Sequence, residues 1–210
     1  MTLRAYKYRI YPDPIQETLL NKTFGCVRFV WNKLVENFNN WSPDVEPTKL
    51  NEKILKDDPE YIWLNEVSAG ALQQKRMDFD ETKKQFFNKK RKAKLGRPKF
   101  KKKGNRESYR LPNQKFSFDQ ESSTIRLEKI GYVKVIIDRA ISPEANYRSV
   151  TISKTPTGKY YVSILVDEAI ELKPTTSYKV GIDLGLKDLF ILSDGQVVDN
   201  PKWFRENQSK

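Results

Sequence analysis

Few residue types in this sequence could do chemistry, and their absences narrow it further. There is no histidine and only one cysteine among the 210 residues. Without histidine, Ser-His-Asp and Cys-His nucleophilic designs and imidazole metal sites are ruled out. Cys26 lies in the apolar stretch Phe24-Gly25-Cys26-Val27-Arg28-Phe29-Val30. That is the setting of a buried structural thiol, and a lone cysteine makes neither an internal disulfide nor a four-cysteine zinc site. Catalysis would have to use carboxylates with a hard cation such as Mg²⁺. One carboxylate stands out. Asp183 sits in the middle of Val180-Gly181-Ile182-Asp183-Leu184-Gly185, an apolar strand pattern. An acid buried in such a strand is costly unless it pairs or binds a cation, so Asp183 is the candidate catalytic, metal-binding residue.

The stronger signal is for binding. Lys and Arg number 39 against 27 Asp and Glu, a net charge of +12. From Thr82 to Arg106 there are 13 Lys or Arg and no acid. A run of one sign repels itself and calls for an anionic partner. Lys83, Lys90, Arg91, Arg97, Lys99, Lys101, Lys102, Lys103 and Arg106 are the candidate contacts, with Arg110 just beyond. Phe86, Phe87, Phe100 and Tyr109 interleave aromatic faces with these charges, a mixture suited to stacked bases of a single strand or a bent RNA. A membrane partner is disfavoured, because no apolar run approaches the ~20 residues of a spanning helix. The N-terminus also lacks the apolar block of a signal peptide, so a cytoplasmic protein is expected.

These residues need elements to hold them. Residues 3–11 alternate as a strand. Asp13-Pro14 has the composition of a helix start, Asp13 as cap and Pro14 in the first turn. Leu19, Leu20, Val27, Val30, Trp31, Leu34, Val35 and Phe38 continue a helical apolar face, with a break expected near Gly25 and hence a packed pair of core helices. Pro43 and Pro47 bracket a loop. Thr48 is expected to cap a short helix through Leu55, and Pro59 to end that stretch, with Tyr61, Trp63 and Leu64 docking on the core. Ser68 opens a long helix to about Lys92, its apolar stripe being Leu72, Phe79 and Phe86. Its other faces carry Gln73, Gln74, Lys75, Arg76, Lys83 and Lys84. Strands are expected near 107–111, 115–119, 123–128, 131–137, 147–154 and 159–168, with a turn at Thr155-Pro156-Thr157-Gly158. Together with the first strand they can close a small barrel, leaving the helices as an insertion. Residues 171–177 have linker composition. Beyond them, Leu189-Phe190-Ile191-Leu192 and Gln196-Val197-Val198 flank the turn Ser193-Asp194-Gly195. The expected class is α+β, with a β-barrel from 1–12 and 107–172, a helical insertion from 13–106, and a separate β-hairpin unit from 177–210.

Two site types begin like the strand of Asp183: the first strand of an RNase H-like nuclease, and the phosphate loop of an actin-like ATPase. The loop usually continues with small hydroxyl residues, whereas Leu186-Lys187-Asp188 follows here. Read from end to end, the chain resembles the TnpB (OrfB) family of insertion-sequence proteins. Tyr6-Lys7-Tyr8-Arg9-Ile10-Tyr11-Pro12 is similar to the family's opening strand, and Phe24-Gly25-Cys26-Val27-Arg28-Phe29-Val30-Trp31-Asn32 to its first helical block. Ala71-Leu72-Gln73-Gln74 resembles its recognition helix. Gly96-Arg97-Pro98-Lys99-Phe100-Lys101 and Ser108-Tyr109-Arg110 resemble its basic loop and the next strand. Gly181-Ile182-Asp183-Leu184-Gly185-Leu186-Lys187-Asp188 resembles the first RuvC motif. The resemblance implies an RNA-guided DNA endonuclease in which a wedge barrel and a helical recognition insertion hold a transposon-derived guide RNA. By the same analogy, Gln73, Gln74 and Arg76 approach a short motif on double-stranded target DNA, where an amide can pair with adenine's edge. Asp183 is then the first metal-binding acid. The family's further acids and its zinc ribbon are missing from this chain. The expectation is therefore a nuclease domain cut short after its first motif, with Mg²⁺ only if the site is completed elsewhere, no zinc site, and binding without cleavage.

Overall fold

The computed structural model describes residues 2–40, 50–88, 96–104, 107–169 and 177–208, in two compact units, Met1–Ile170 and Glu171–Lys210. The first unit is built on a seven-stranded antiparallel sheet. Its central strand, β1 (Thr2–Tyr11), alternates as its sequence dictates, with Tyr6, Tyr8 and Ile10 buried and Lys7 and Tyr11 exposed. The remaining strands are β2 (Glu107–Pro112), β3 (Phe116–Asp119), β4 (Thr124–Leu127), β5 (Gly131–Ile136), β6 (Asn146–Lys154) and β7 (Tyr160–Glu168). Their order across the sheet is β2-β6-β7-β1-β5-β4-β3. Strand β1 pairs with β7 from Thr2↔Glu168 to Ile10↔Tyr160, and with β5 from Arg9↔Ile136 to Tyr11↔Lys134. The edge strands β2 and β3 are consecutive in the chain, joined by a short 3-10 turn at Asn113–Lys115. That turn draws the two edges together and leaves the sheet a nearly closed, barrel-like structure. Val150, Ile152, Val162, Ile164 and Val166 fill its inner face, each fully buried. The β6–β7 turn uses Gly158 at φ +79, a left-handed conformation that glycine adopts without Cβ strain.

The helices lie between β1 and β2 in sequence. Helix α1 (Pro14–Asn39) starts with a capping box. Asp13 accepts from the Gln16 amide at 2.8 Å, and the Gln16 side chain accepts from the Asp13 amide at 3.1 Å. The break expected near Gly25 does not occur, and α1 is one uninterrupted helix of 26 residues. A mid-helix glycine costs about 1 kcal/mol relative to alanine. Burial of Leu20, Phe24, Val27, Val30, Trp31, Leu34, Val35 and Phe38 on one face outweighs that several times over. Replacing Asp13 with Ala should lower stability by about 1 kcal/mol in a urea titration, with the slope unchanged.

Thr48, the expected cap of the short helix, lies outside the described residues. Helix α2 (Glu52–Asp57) is capped instead by Asn51, which accepts from the amides of Lys53 and Ile54. Helix α2 ends before Pro59, as expected, and Pro59 opens a 3-10 segment, Pro59–Glu66. This segment buries Leu64 and sets Tyr61 and Trp63 against Phe29, each at 4.9 Å between ring centroids. Helix α3 (Ala69–Phe87) is capped by Ser68 and closes at Asn88, short of the expected Lys92; residues 89–92 lie outside the description. Its stripe is as expected, Leu72 and Phe79 buried and Phe86 packed at the core's margin.

The second unit holds β8 (Ile182–Leu184), β9 (Asp188–Leu192) and β10 (Val197–Asp199) in an antiparallel meander, followed by a short helix α4 (Trp203–Asn207). The strand expected to be buried is exposed along its whole length, Ile182, Asp183 and Leu184 alike. Three strands and five helical residues supply no second layer to cover it. Among the described residues, no helix is long and apolar enough to cross a membrane.

Candidate nucleic-acid interface

The basic segment between α3 and β2 is fixed onto α1 where it is described. Trp31 donates its indole N–H to the Lys99 carbonyl at 2.9 Å. One residue on, Asn32 donates to the Lys101 carbonyl at 3.1 Å and accepts from the Lys101 amide at 2.8 Å. Pro98 is buried beneath the segment. These contacts leave Arg97, Lys99, Phe100, Lys101, Lys102 and Lys103 exposed. None of those cations joins an ion pair among the described residues. The Arg97 guanidinium lies 5.8 Å from the Phe38 ring centroid, and the Lys101 ammonium 3.9 Å from that of Trp31.

Lys101 shows why this spot suits an anion. Much of its stem is open to solvent, but its ammonium packs over the indole and beside Lys75. Burial, and then the Lys75 charge, depress its pKa from the ordinary 10.5 to about 8. Beneath it, Arg28, Lys75 and Lys102 rim a small cleft whose apolar wall is Phe24 and Val27. Lys75 is buried and its partner is Asp78 at 3.2 Å; Arg28 pairs with Glu107 at 3.0 Å.

Other residues singled out by the sequence fare differently. Gln73 is exposed and Gln74 half-buried on the same turn of α3. Arg76 pairs with Glu52 at 2.7 Å and Asp80 at 2.5 Å, and Arg110 with Asp78 at 2.8 Å, so acids already neutralise both. Lys83 is half-buried on α3. Lys90, Arg91 and Arg106 lie outside the described residues. Tyr109 cannot stack a base. The β2 register pairs it with Ile152 on the inner face, where it is 2% exposed and meets Phe24 edge-on at 5.5 Å. The clamp residues Trp31 and Asn32, with Arg28 and Lys75, were not legible as site residues. Their only sequence signal is that Arg28, Trp31 and Asn32 share one helical face.

Asp183 stands exposed, so the burial argument for a metal-binding role does not hold in this unit. Among the described residues, no group of three His, Cys, Asp or Glu is placed to hold a metal ion. Cys26 is buried and its thiol is pushed up to about 11, mainly by burial, which makes it inert at neutral pH.

Comparison with known proteins decides the family. Residues 1–41 match the helix-turn-helix domain of OrfB proteins of the IS605 type. The chain is 31% identical over 216 residues to "Putative RNA-guided DNA endonuclease InsQ" of Escherichia coli (strain K12), covering 99% of this chain and 52% of that protein. It is 30% identical over 214 residues to "Putative RNA-guided DNA endonuclease" of Streptomyces pristinaespiralis, with the same two coverages. The chain belongs to the TnpB/OrfB family. It also matches "Virulence protein VsdF" of Salmonella dublin, 34% identical over 114 residues, 48% of this chain and 94% of that one. This TnpB/OrfB chain spans about half the length of the two endonuclease relatives. In its matched N-terminal segment the described structure is one strand and one unbroken helix, not two helices around a turn.

Proposed function

We propose that this TnpB/OrfB chain binds nucleic acid: guide RNA from a transposon end, and double-stranded target DNA. The carrying observation is the basic segment 97–103, pinned by Trp31 and Asn32, whose Arg97, Lys99, Lys101, Lys102 and Lys103 are exposed residues that join no ion pair among the described residues. Unpaired cations set against a phosphate backbone supply most of a non-specific affinity. In this reading the barrel (1–12 and 107–172) is the family's wedge, and residues 13–106 are its recognition insertion. Gln73, exposed on α3, reads the target's flanking motif by pairing with a base edge. Residues 177–210 are the start of a RuvC-like domain, with Asp183 as its first metal-binding acid. Among the described residues no group of three acids is placed to hold a metal ion. Binding is the activity we propose for these residues, whether as an RNA-guided repressor or as part of an active nuclease whose further acids lie elsewhere.

The test is to purify the chain with the RNA it carries and to sequence that RNA. Enrichment of one structured RNA from the flank of its own gene is the expected result. Random RNA released at high salt would reduce the reading to a basic surface. Gln73→Ala should shift the DNA sequence preference by about 1–3 kcal/mol at one base pair and leave RNA binding unchanged; a uniform loss would count against base readout.

A further inference from the structure

Among Lys99, Lys101, Lys102 and Lys103, only Lys101 has its ammonium over a ring in the described structure, 3.9 Å from the Trp31 centroid. Its stem starts from a fixed point. Asn32 holds the Lys101 amide at 2.8 Å and its carbonyl at 3.1 Å, and Trp31 holds the Lys99 carbonyl two residues earlier. The cleft beside the amine gathers further charge. Arg28 of α1, Lys75 of α3, Lys102 of the segment and Glu107 of β2 line it together with Lys101.

The acids around the amine are committed elsewhere. Glu107 pairs with Arg28 at 3.0 Å and accepts from the Gly104 amide at 3.3 Å. Asp78 is shared between Lys75 at 3.2 Å and Arg110 at 2.8 Å. Lys101 therefore has cations beside it and no carboxylate of its own among the described residues. The indole attracts its charge, yet it also displaces water that would solvate that charge. Burial and Lys75 outweigh Asp78, which pulls the other way, and the amine titrates at about 8 instead of 10.5. About a tenth of it is then unprotonated at pH 7, against roughly one part in 3,000 for an ordinary lysine.

We propose that Lys101 is a site of N-acylation by acyl phosphates, with the reagent's phosphate docked at the cleft mouth against Arg28, Lys75 and Lys102. Arg28 and Lys75 each keep N–H donors beyond those their acids occupy, and Lys102 is unpaired. The lone pair of Lys101 Nζ attacks the acyl carbonyl carbon and forms an N–C bond. The C–O bond to phosphate breaks, and inorganic phosphate leaves with that electron pair. The surplus proton on nitrogen passes to water, and nothing is oxidised or reduced. The product is an uncharged amide in place of one cation of segment 97–103. The modification stands independently of the nucleic-acid reading; its consequence, a weaker hold on a phosphate backbone, rests on it.

The test incubates the full chain with acetyl phosphate between pH 7 and 10 and follows each lysine by mass spectrometry. At pH 7, Lys101 is expected to react about tenfold faster than Lys99, Lys102 or Lys103. Its rate should rise about tenfold from pH 7 to 9 and then level, whereas an ordinary lysine gains about a hundredfold and keeps climbing. Inorganic phosphate should slow Lys101 preferentially, and acetic anhydride, which carries no phosphate, should favour it less. Lys75→Met removes the repelling charge and one of the two partners of Asp78, so Lys101 should react severalfold more slowly and level at higher pH. If that variant does not fold, the parent in concentrated urea replaces it, and the preference for Lys101 should vanish there. Equal rates at the four lysines of the folded chain overturn the proposal. So does a preference that survives urea, or a Lys101 rate that climbs like an ordinary lysine's. The acetylated chain should bind oligonucleotide severalfold more weakly. Unchanged affinity would keep the modification and overturn its consequence, and a parent chain that binds no nucleic acid would overturn the nucleic-acid reading alone.

Discussion

Replacing Lys101, Lys102 and Lys103 together with alanine should weaken binding to nucleic acid of every sequence by roughly 10- to 100-fold at moderate salt. The slope of log affinity against log salt should flatten by about 2–3, because each phosphate contact releases about 0.7–0.9 of a counterion. All three side chains are exposed and unpaired, so little folded-state stability should go with them. Lys101 adds a pH signature. Its ammonium titrates near 8 in the free chain, held down by burial and by Lys75. A phosphate set against it favours the charged form, so binding between about pH 8 and 10 must take up a proton. Calorimetry in buffers of different ionisation enthalpy should show that uptake near pH 9 and none at pH 6. For folding the sign is opposite to that of a paired lysine. With the folded pKa lowered, the unfolded chain binds more protons between about 8 and the ordinary 10.5, so stability rises with pH across that window. An unchanged salt slope in the triple variant would remove segment 97–103 from the interface.

Strands were the most legible part of the fold. The alternation of Val150, Ile152, Val162, Ile164 and Val166 fixes both the strands and their inner face, and the Thr155-Pro156-Thr157-Gly158 turn fixes their pairing. Misreadings arose where a local rule met a longer-range one. Gly25 marks a helix break by propensity, but the buried face on either side of it carries α1 through. Tyr109 sits among basic residues in the sequence, yet period-two alternation, visible once β2 is placed, turns it inward. Charge counting also overstates the α3 surface. Arg76 and Arg110 look free in a one-dimensional reading, while their partners Glu52 and Asp78 arrive from 24 residues upstream and from a neighbouring element. No local pattern foretells that Trp31 and Asn32 hold a segment some seventy residues away.

The second unit teaches the same lesson about Asp183. Apolar neighbours in sequence imply burial only if something covers the strand, and the described residues of 177–208 leave Ile182, Leu184, Leu186 and Ile191 open. A two-metal site needs several acids together, and among the described residues no group of three is placed to hold a metal ion.

The clamp makes the last prediction, and it separates packing from positioning. Trp31 is 7% exposed, meets Phe79 edge-on at 5.4 Å, and lies beneath the Lys101 ammonium. Trp31→Ala removes a large buried side chain from the α1–α3 contact and should cost about 3–5 kcal/mol, read as a fall in the urea midpoint. Part of any binding loss in that variant would then be unfolding. Asn32→Ala avoids the ambiguity. Its side chain is on the surface, and its two bonds to the Lys101 backbone should cost about 1 kcal/mol between them. If those bonds fix the segment, limited trypsin digestion should cut Asn32→Ala at Lys99, Lys101, Lys102 or Lys103 several times faster than the parent under conditions where both stay folded. Affinity for nucleic acid should fall severalfold with the salt slope intact, because every cation is still present and only its placement has been loosened. A slope that drops together with affinity would mean that contacts, rather than their positioning, were lost. Cleavage at the parent rate would show that residues 97–103 hold their course without Asn32.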